Sequence, residues 1–265
     1  MHPARSPRLI APLLALLAAP ALALAAEPAP AKMPNATEEV APAVGLGFVN
    51  PVQAPASLRD LVETTSFDSR QHVHVFLVNG CDPLCVGNMN GLCAYVKSLG
   101  FSAEFDQMYG ARSVYRKAKF AHETDPGAKI VLMGFSLGAN TVRTVAQWLE
   151  KDGVPVDLLY YLAADAVSDG AGTKPGNVAR IINVTGHGSP FFGGDAFITP
   201  VKIHGADNIH LDAKHFALPS QSKVVEALVR ELLILAGGGA VVPAPTTVRG
   251  VSEQTPAAPS SLRIP

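Results

Sequence analysis

KIVLMGFSLGANTVRTVAQWLE, residues 129–150, holds two kinds of periodicity joined by a five-residue turn. Lys129–Phe135 is a continuous apolar run of the kind that forms a strand buried on both faces. From Ala139 to Lys151, Val142, Val145, Ala146 and Leu149 recur at three- and four-residue spacing, which predicts an amphipathic helix. Between them lies Gly134-Phe135-Ser136-Leu137-Gly138, G-x-S-x-G, where the strand turns straight into the helix. A serine on so sharp a turn is held in a strained conformation, and the residues two before and two after it must be small because side chains there would collide. Gly134 and Gly138 meet that need. The turn lifts the Ser136 hydroxyl at the C-terminal edge of the sheet, and the helix N-terminus leaves the Leu137 amide free to stabilise an oxyanion.

Outward from this stretch, strand-like and helix-like segments alternate. His72–Asn79 (HVHVFLVN) reads as a first strand, followed by a Gly/Cys/Pro/Asn loop and a helix over Met89–Leu99 that Gly100 ends. A short strand at Ala103–Phe105 and a helix at Ser113–His122 lead into the strand at 129. Val156–Ala164 and Ala179–Val184 read as further strands, and Lys223–Leu235 as a closing helix with Val225, Leu228, Leu232 and Leu235 inward. The alternation predicts an α/β protein, a mostly parallel sheet with helices on both faces.

On GFSLG, on the order of the strands and on the residues downstream of the motif, residues 72–235 resemble the α/β-hydrolase superfamily, with no specific member indicated. The resemblance implies a triad running serine, acid, histidine along the chain. Its histidine slot, after the last strand and before the last helix, is met by His215, with His210 next and His204 and His187 less well placed. Such a histidine takes the serine proton and returns it to the leaving group. The acid slot is met by Asp165, which ends LLYYLAAD, ahead of Asp195 in a Gly-rich loop and of Asp169 and Asp207. The loop after the first strand, Asn79-Gly80-Cys81-Asp82-Pro83-Leu84-Cys85, takes the place of the second oxyanion donor. Gly80 lets the backbone approach a substrate, Cys81 or Asp82 offers an N–H, and Pro83 has none to offer. This loop departs from the HGGG type of some lipases. The spacings of 29 residues from Ser136 to Asp165 and 50 from Asp165 to His215 leave no room for a large lid domain.

Composition narrows the rest. Among 265 residues, 21 Lys+Arg stand against 22 Asp+Glu, a net charge of −1 that gives no sequence-wide reason to bind nucleic acid or anionic lipid. Of 22 prolines only seven fall in residues 57–236, so that stretch is the candidate domain. Ahead of it, His2, Arg5 and Arg8, an apolar run Leu9–Leu24 and Ala23-Leu24-Ala25 read as a secretory signal peptide over 1–25, cleaved near Ala25. The expectation is an exported protein, periplasmic or secreted, without a stable membrane anchor. Residues 26–56 read as a Pro/Ala-rich linker and 237–265 as a Gly/Pro-rich tail.

Cys81, Cys85 and Cys93 lie close together, and in an oxidising compartment Cys81 or Cys85 would be able to pair with Cys93. No cysteine or histidine spacing matches a metal motif, and the triad chemistry needs no cofactor. The expectation is therefore an exported serine hydrolase that cleaves a small-molecule or lipid ester through an acyl-enzyme on Ser136. A thioesterase or amide hydrolase with the same triad and a non-catalytic binding domain are the alternatives.

Overall fold

The computed structural model describes residues 52–53, 55–164, 174–187 and 202–237. The signal peptide, most of the linker, the tail beyond residue 237, and Asp165, Asp169 and Asp195 lie outside them. Among these residues, six strands form one parallel sheet: β1 (Val73–Val78), β2 (Ser102–Asp106), β3 (Lys129–Phe135), β4 (Val156–Leu162), β5 (Val178–His187) and β6 (Asp207–Lys214). Among the described residues, six α-helices accompany them: α1 (Arg59–Thr64), α2 (Phe67–Gln71), α3 (Met89–Ser98), α4 (Ala111–Thr124), α5 (Gly138–Lys151) and α6 (Ser222–Leu235). A 3-10 turn, His215–Ser220, joins β6 to α6.

Period-2 alternation divides the apolar residues between two cores. In β3, Val131, Met133 and Phe135 pack with α3 and α6 on one face, whereas Ile130 and Leu132 pack with α4 and α5 on the other. A strand buried on both faces must be apolar at every buried position, which is why 130–135, after the exposed Lys129, reads as an unbroken run.

The strand order is β2-β1-β3-β4-β5-β6. After β1 the chain steps outward to β2, then crosses back past β1 to β3 and continues toward β6. The order therefore reverses between β1 and β3, and the connections from these two strands leave toward opposite faces: β1 leads to α3 and β3 leads to α5. At such a switch point the carboxyl ends of neighbouring strands open a crevice, the usual ligand position in an open α/β sheet. The G-x-S-x-G turn and the loop after β1 flank that crevice.

The packed chain also reaches back beyond residue 57. Val52 is buried in the α3/α6 core, and the Gln53 amide donates to Ser220 O at 3.0 Å. Among the described residues no helix is long and apolar enough to cross a membrane.

Candidate active site

Ser136 stands at φ +53°, in the left-handed region that non-glycine residues rarely occupy, immediately after β3. Its own amide is fixed by donating to Leu162 O at the end of β4, at 2.8 Å. The strain is held in place by glycines. A methyl on Gly134 would sit 2.5 Å from Gly138 O and 2.6 Å from Ala139 Cα. One on Gly138 would sit 2.4 Å from Val78 O. These are the small positions that the sequence motif required, and the reason is backbone against backbone.

Gly80 is the third close approach. A methyl there would lie 2.6 Å from Phe135 O, 2.7 Å from Ser136 Cβ and 3.0 Å from Leu137 N. The loop after β1 thus runs directly against the serine and the amide that follows it. Among the described residues, the Leu137, Cys81 and Asp82 amides donate to no backbone acceptor. Free donors at a helix start, beside a strained serine, are what an oxyanion hole needs. Ser136 itself is only 7% exposed.

His215 begins the 3-10 turn after β6, in the slot expected for it. It is buried, not solvated: its ring lies 5.0 Å from that of Phe135, the residue before Ser136, at an angle of 42°. Phe216 meets it edge-on at 5.3 Å. Burial pushes the imidazole pKa down to about 4, and the negative charge of Asp82 acts against that shift. No hydrogen bond among the described residues joins Ser136 to His215; such bonds are often long in ligand-free sites and tighten with substrate.

The other histidines lie elsewhere. His210 and His187 are exposed on β6 and β5, their rings edge to face at 5.6 Å, and His187 Nε2 contacts Asp212 at 2.6 Å. His204 is exposed, and Asp207 pairs with Arg180. Among the described residues, no three His, Cys, Asp or Glu side chains group as a metal site.

Asp82 is the residue whose part the sequence did not disclose. The motif reading considered only its amide, yet its carboxylate is 2% exposed and accepts from Val86 N at 2.9 Å and Gly87 N at 2.8 Å. Asn79, fully buried, donates from Nδ2 to Asp82 O. Two non-glycine residues with positive φ, Cys85 and Asn88, turn the chain so that 82–87 folds back on itself. The disulfide that the sequence allowed is not formed: Cys81, Cys85 and Cys93 are all free, and Cys93 is buried in α3 within the core. Its thiol pKa rises to about 11 through burial, so it is neutral.

No family model matches the chain, and no curated protein matches it. Among solved structures it is similar to a protein from Xanthomonas campestris pv. campestris described as a hydrolase of the alpha/beta superfamily. The two are 18% identical, with 62% of this chain and 98% of that one covered at a TM-score of 0.40. It is also similar to the NocB thioesterase domain of the nocardicin cluster, at 15% identity, 63% and 97% coverage and a TM-score of 0.40. RedJ is 14% identical, with 69% and 96% covered and the same TM-score. The chain's own arrangement carries the assignment of fold: a parallel sheet covered on both faces, a serine at positive φ on the turn from β3 to α5, and a buried histidine after the last strand make this an α/β-hydrolase fold.

Proposed function

We propose that this protein is an exported serine hydrolase that cleaves carboxylic esters through an acyl-enzyme on Ser136. One observation carries the reading: Ser136 is held at φ +53° by three glycines against a cluster of unused backbone donors. Backbone strain of this kind costs on the order of 1–3 kcal/mol and persists where the surrounding structure over-determines it, most often at active sites.

In this reading the Ser136 hydroxyl attacks the acyl carbon as His215 accepts its proton. The Leu137 amide, with that of Cys81 or Asp82, stabilises the oxyanion. His215 then protonates the departing alcohol, and water repeats the sequence on the acyl-serine. A neutral imidazole is the form a base requires, and burial supports it across the working pH range. Asp165, the residue after the described stretch 55–164, remains the expected acid from sequence. The substrate is a small-molecule or lipid ester, met in the periplasm or outside the cell after removal of residues 1–25.

Fluorophosphonate labelling tests the mechanism before the substrate is known. Wild-type protein should label, and Ser136→Ala and His215→Ala should not; ester turnover should fall on the order of 10⁴-fold or more in Ser136→Ala. Well-folded wild type that neither labels nor turns over a series of acyl esters would refute the proposal.

A further inference from the structure

A groove on the outer side of the sheet's α4/α5 layer lies apart from the serine. It has a volume of about 610 Å³ and is lined by Arg112, Tyr115 and Arg116 of α4 and by Trp148, Lys151 and Asp152 at the end of α5. Trp148 is ten positions past Gly138, about 15 Å along the axis of α5, and none of the lining residues belongs to the crevice at Ser136.

The apolar part of the groove is the Tyr115 and Trp148 rings, which meet edge to face at 5.8 Å and 86°. A crossed pair leaves no slot between parallel rings for a base or a sugar to enter. The charge of the groove is one-sided. Asp152 is already engaged, accepting from the Tyr115 hydroxyl and from Lys119 Nζ at 2.8 Å. Close by, Glu104 pairs with Lys117, and Glu150 accepts from Gly176 N at 2.8 Å. Among the described residues, Arg112, Arg116 and Lys151 are exposed and have no acidic partner. Arg116 Nε donates to Arg112 O at 3.2 Å within the helix, which leaves its terminal nitrogens unused. Arg112 and Arg116 stand four residues apart on one face of α4, a like-charge spacing that works against a helix. Four residues further, Phe120 continues that face at 64% exposure.

A chain of net charge −1 therefore gathers three uncompensated cations around two aromatic rings. Trp, Tyr and Arg are the side chains that dominate protein interfaces: the rings give a large contact area at low entropy cost, and the guanidinium fork grips carboxylates in pairs. We propose that this groove docks an acidic segment of a partner protein, its carboxylates on Arg112, Arg116 and Lys151 and an apolar side chain against Tyr115 and Trp148. Phe120 extends the contact along α4. The inference goes beyond the hydrolase reading, and nothing in it requires Ser136 to act.

Trp148 is the one tryptophan of the chain, so intrinsic fluorescence reads the groove directly. The purified protein is titrated with a panel of short synthetic peptides, blocked at both ends, that alternate runs of Asp or Glu with Leu or Ile and lack Trp and Tyr. At least one should shift Trp148 emission saturably, and its affinity should fall on the order of tenfold between about 0.05 and 0.5 M salt. Exchange of its acids for Asn and Gln should abolish binding. The double substitution Arg112→Ala/Arg116→Ala should weaken it at least about tenfold. Fluorophosphonate labelling of Ser136 should be the same in that variant as in wild type, so the docking site and the hydrolase reading stand or fall separately. A panel without any saturable response, or a response that survives the double substitution, would overturn the proposal. Tighter binding of polygalacturonate or of a single-stranded oligonucleotide would overturn it in favour of a different polyanion. Self-association in sedimentation velocity that the double substitution disperses would overturn it by assigning the groove to a second copy of the chain.

Discussion

Gly138 has no space for a single methyl, because that carbon would meet Val78 O at 2.4 Å and Asn79 O at 2.7 Å. These are backbone atoms and cannot step aside as a side chain does. Gly138→Ala should therefore cost about 2 kcal/mol or more in urea unfolding and abolish fluorophosphonate labelling even where the protein still folds. His215 makes a second prediction. Folded, it stays neutral down to about pH 4; unfolded, it takes a proton near 6.5. The unfolded state binds more protons between these values, so stability should fall by up to roughly 3 kcal/mol as pH drops from 6.5 to 4, then level off. Stability curves of wild type and His215→Gln should diverge in that window, and parallel curves would contradict the burial of a neutral imidazole. The contrast between the two residues shows what a sequence discloses. The glycine spacing is local and legible, whereas the burial of His215 depends on Phe135, 80 positions away, and the inward turn of Asp82 depends on left-handed backbone at Cys85 and Asn88 that no motif announces.

At the scale of elements, strands buried on both faces were the easiest to read. Lys129–Phe135 matches the expected bounds because Ile130–Phe135 is apolar and buried throughout, and the helix at 138–151 starts within one residue of its expected place. β6, as an edge strand, exposes most of DNIHLDAK and lacks a clear apolar period, so it is the strand the sequence discloses least. α1 and α2 span six and five residues, too short to show helical periodicity, and were missed. Their neighbourhood has a clasp of its own. Asp125, in the turn after α4, contacts His72 Nδ1 at 2.8 Å and His74 Nε2 at 3.0 Å at the start of β1, and accepts from Gly127 N at 2.9 Å. Burial opposes the charge on Asp125, but the hydrogen bonds from His74, His72 and Gly127 outweigh it and hold the pKa at about 2. A carboxyl held below its ordinary range stabilises the fold above that range and loses its contribution as pH falls toward 2. Asp125→Asn should cost about 1 kcal/mol at pH 7, discounted for partial exposure, with the deficit closing between pH 4 and 2. A deficit independent of pH in chemical denaturation would mean that the clasp acts by packing alone.

For the whole molecule, the decisive feature is the reversal of strand order between β1 and β3, which brings residues 80–87 and 134–138 to one crevice although about fifty positions separate them. His215 reaches the same place from the far edge strand by way of the 3-10 turn, so the site depends on how that turn is anchored. One anchor lies at the other end of the described chain. Val52 is 2% exposed within the α3/α6 core, and Gln53 N bonds Ser220 O, the last residue of the turn. Full burial of a valine is worth about 1.5–3 kcal/mol before the entropy of ordering the segment is subtracted. A chain of residues 57–238 should therefore be less stable than one of residues 50–238 by about 1–2 kcal/mol, a loss of roughly 2–6 °C in Tm. It should also label more slowly with fluorophosphonate, because a turn released at Ser220 holds His215 less firmly at its opposite end. Equal Tm with slower labelling would locate the effect in the turn alone. Equal Tm and equal labelling would show that the 52–53 contact contributes neither to stability nor to the site.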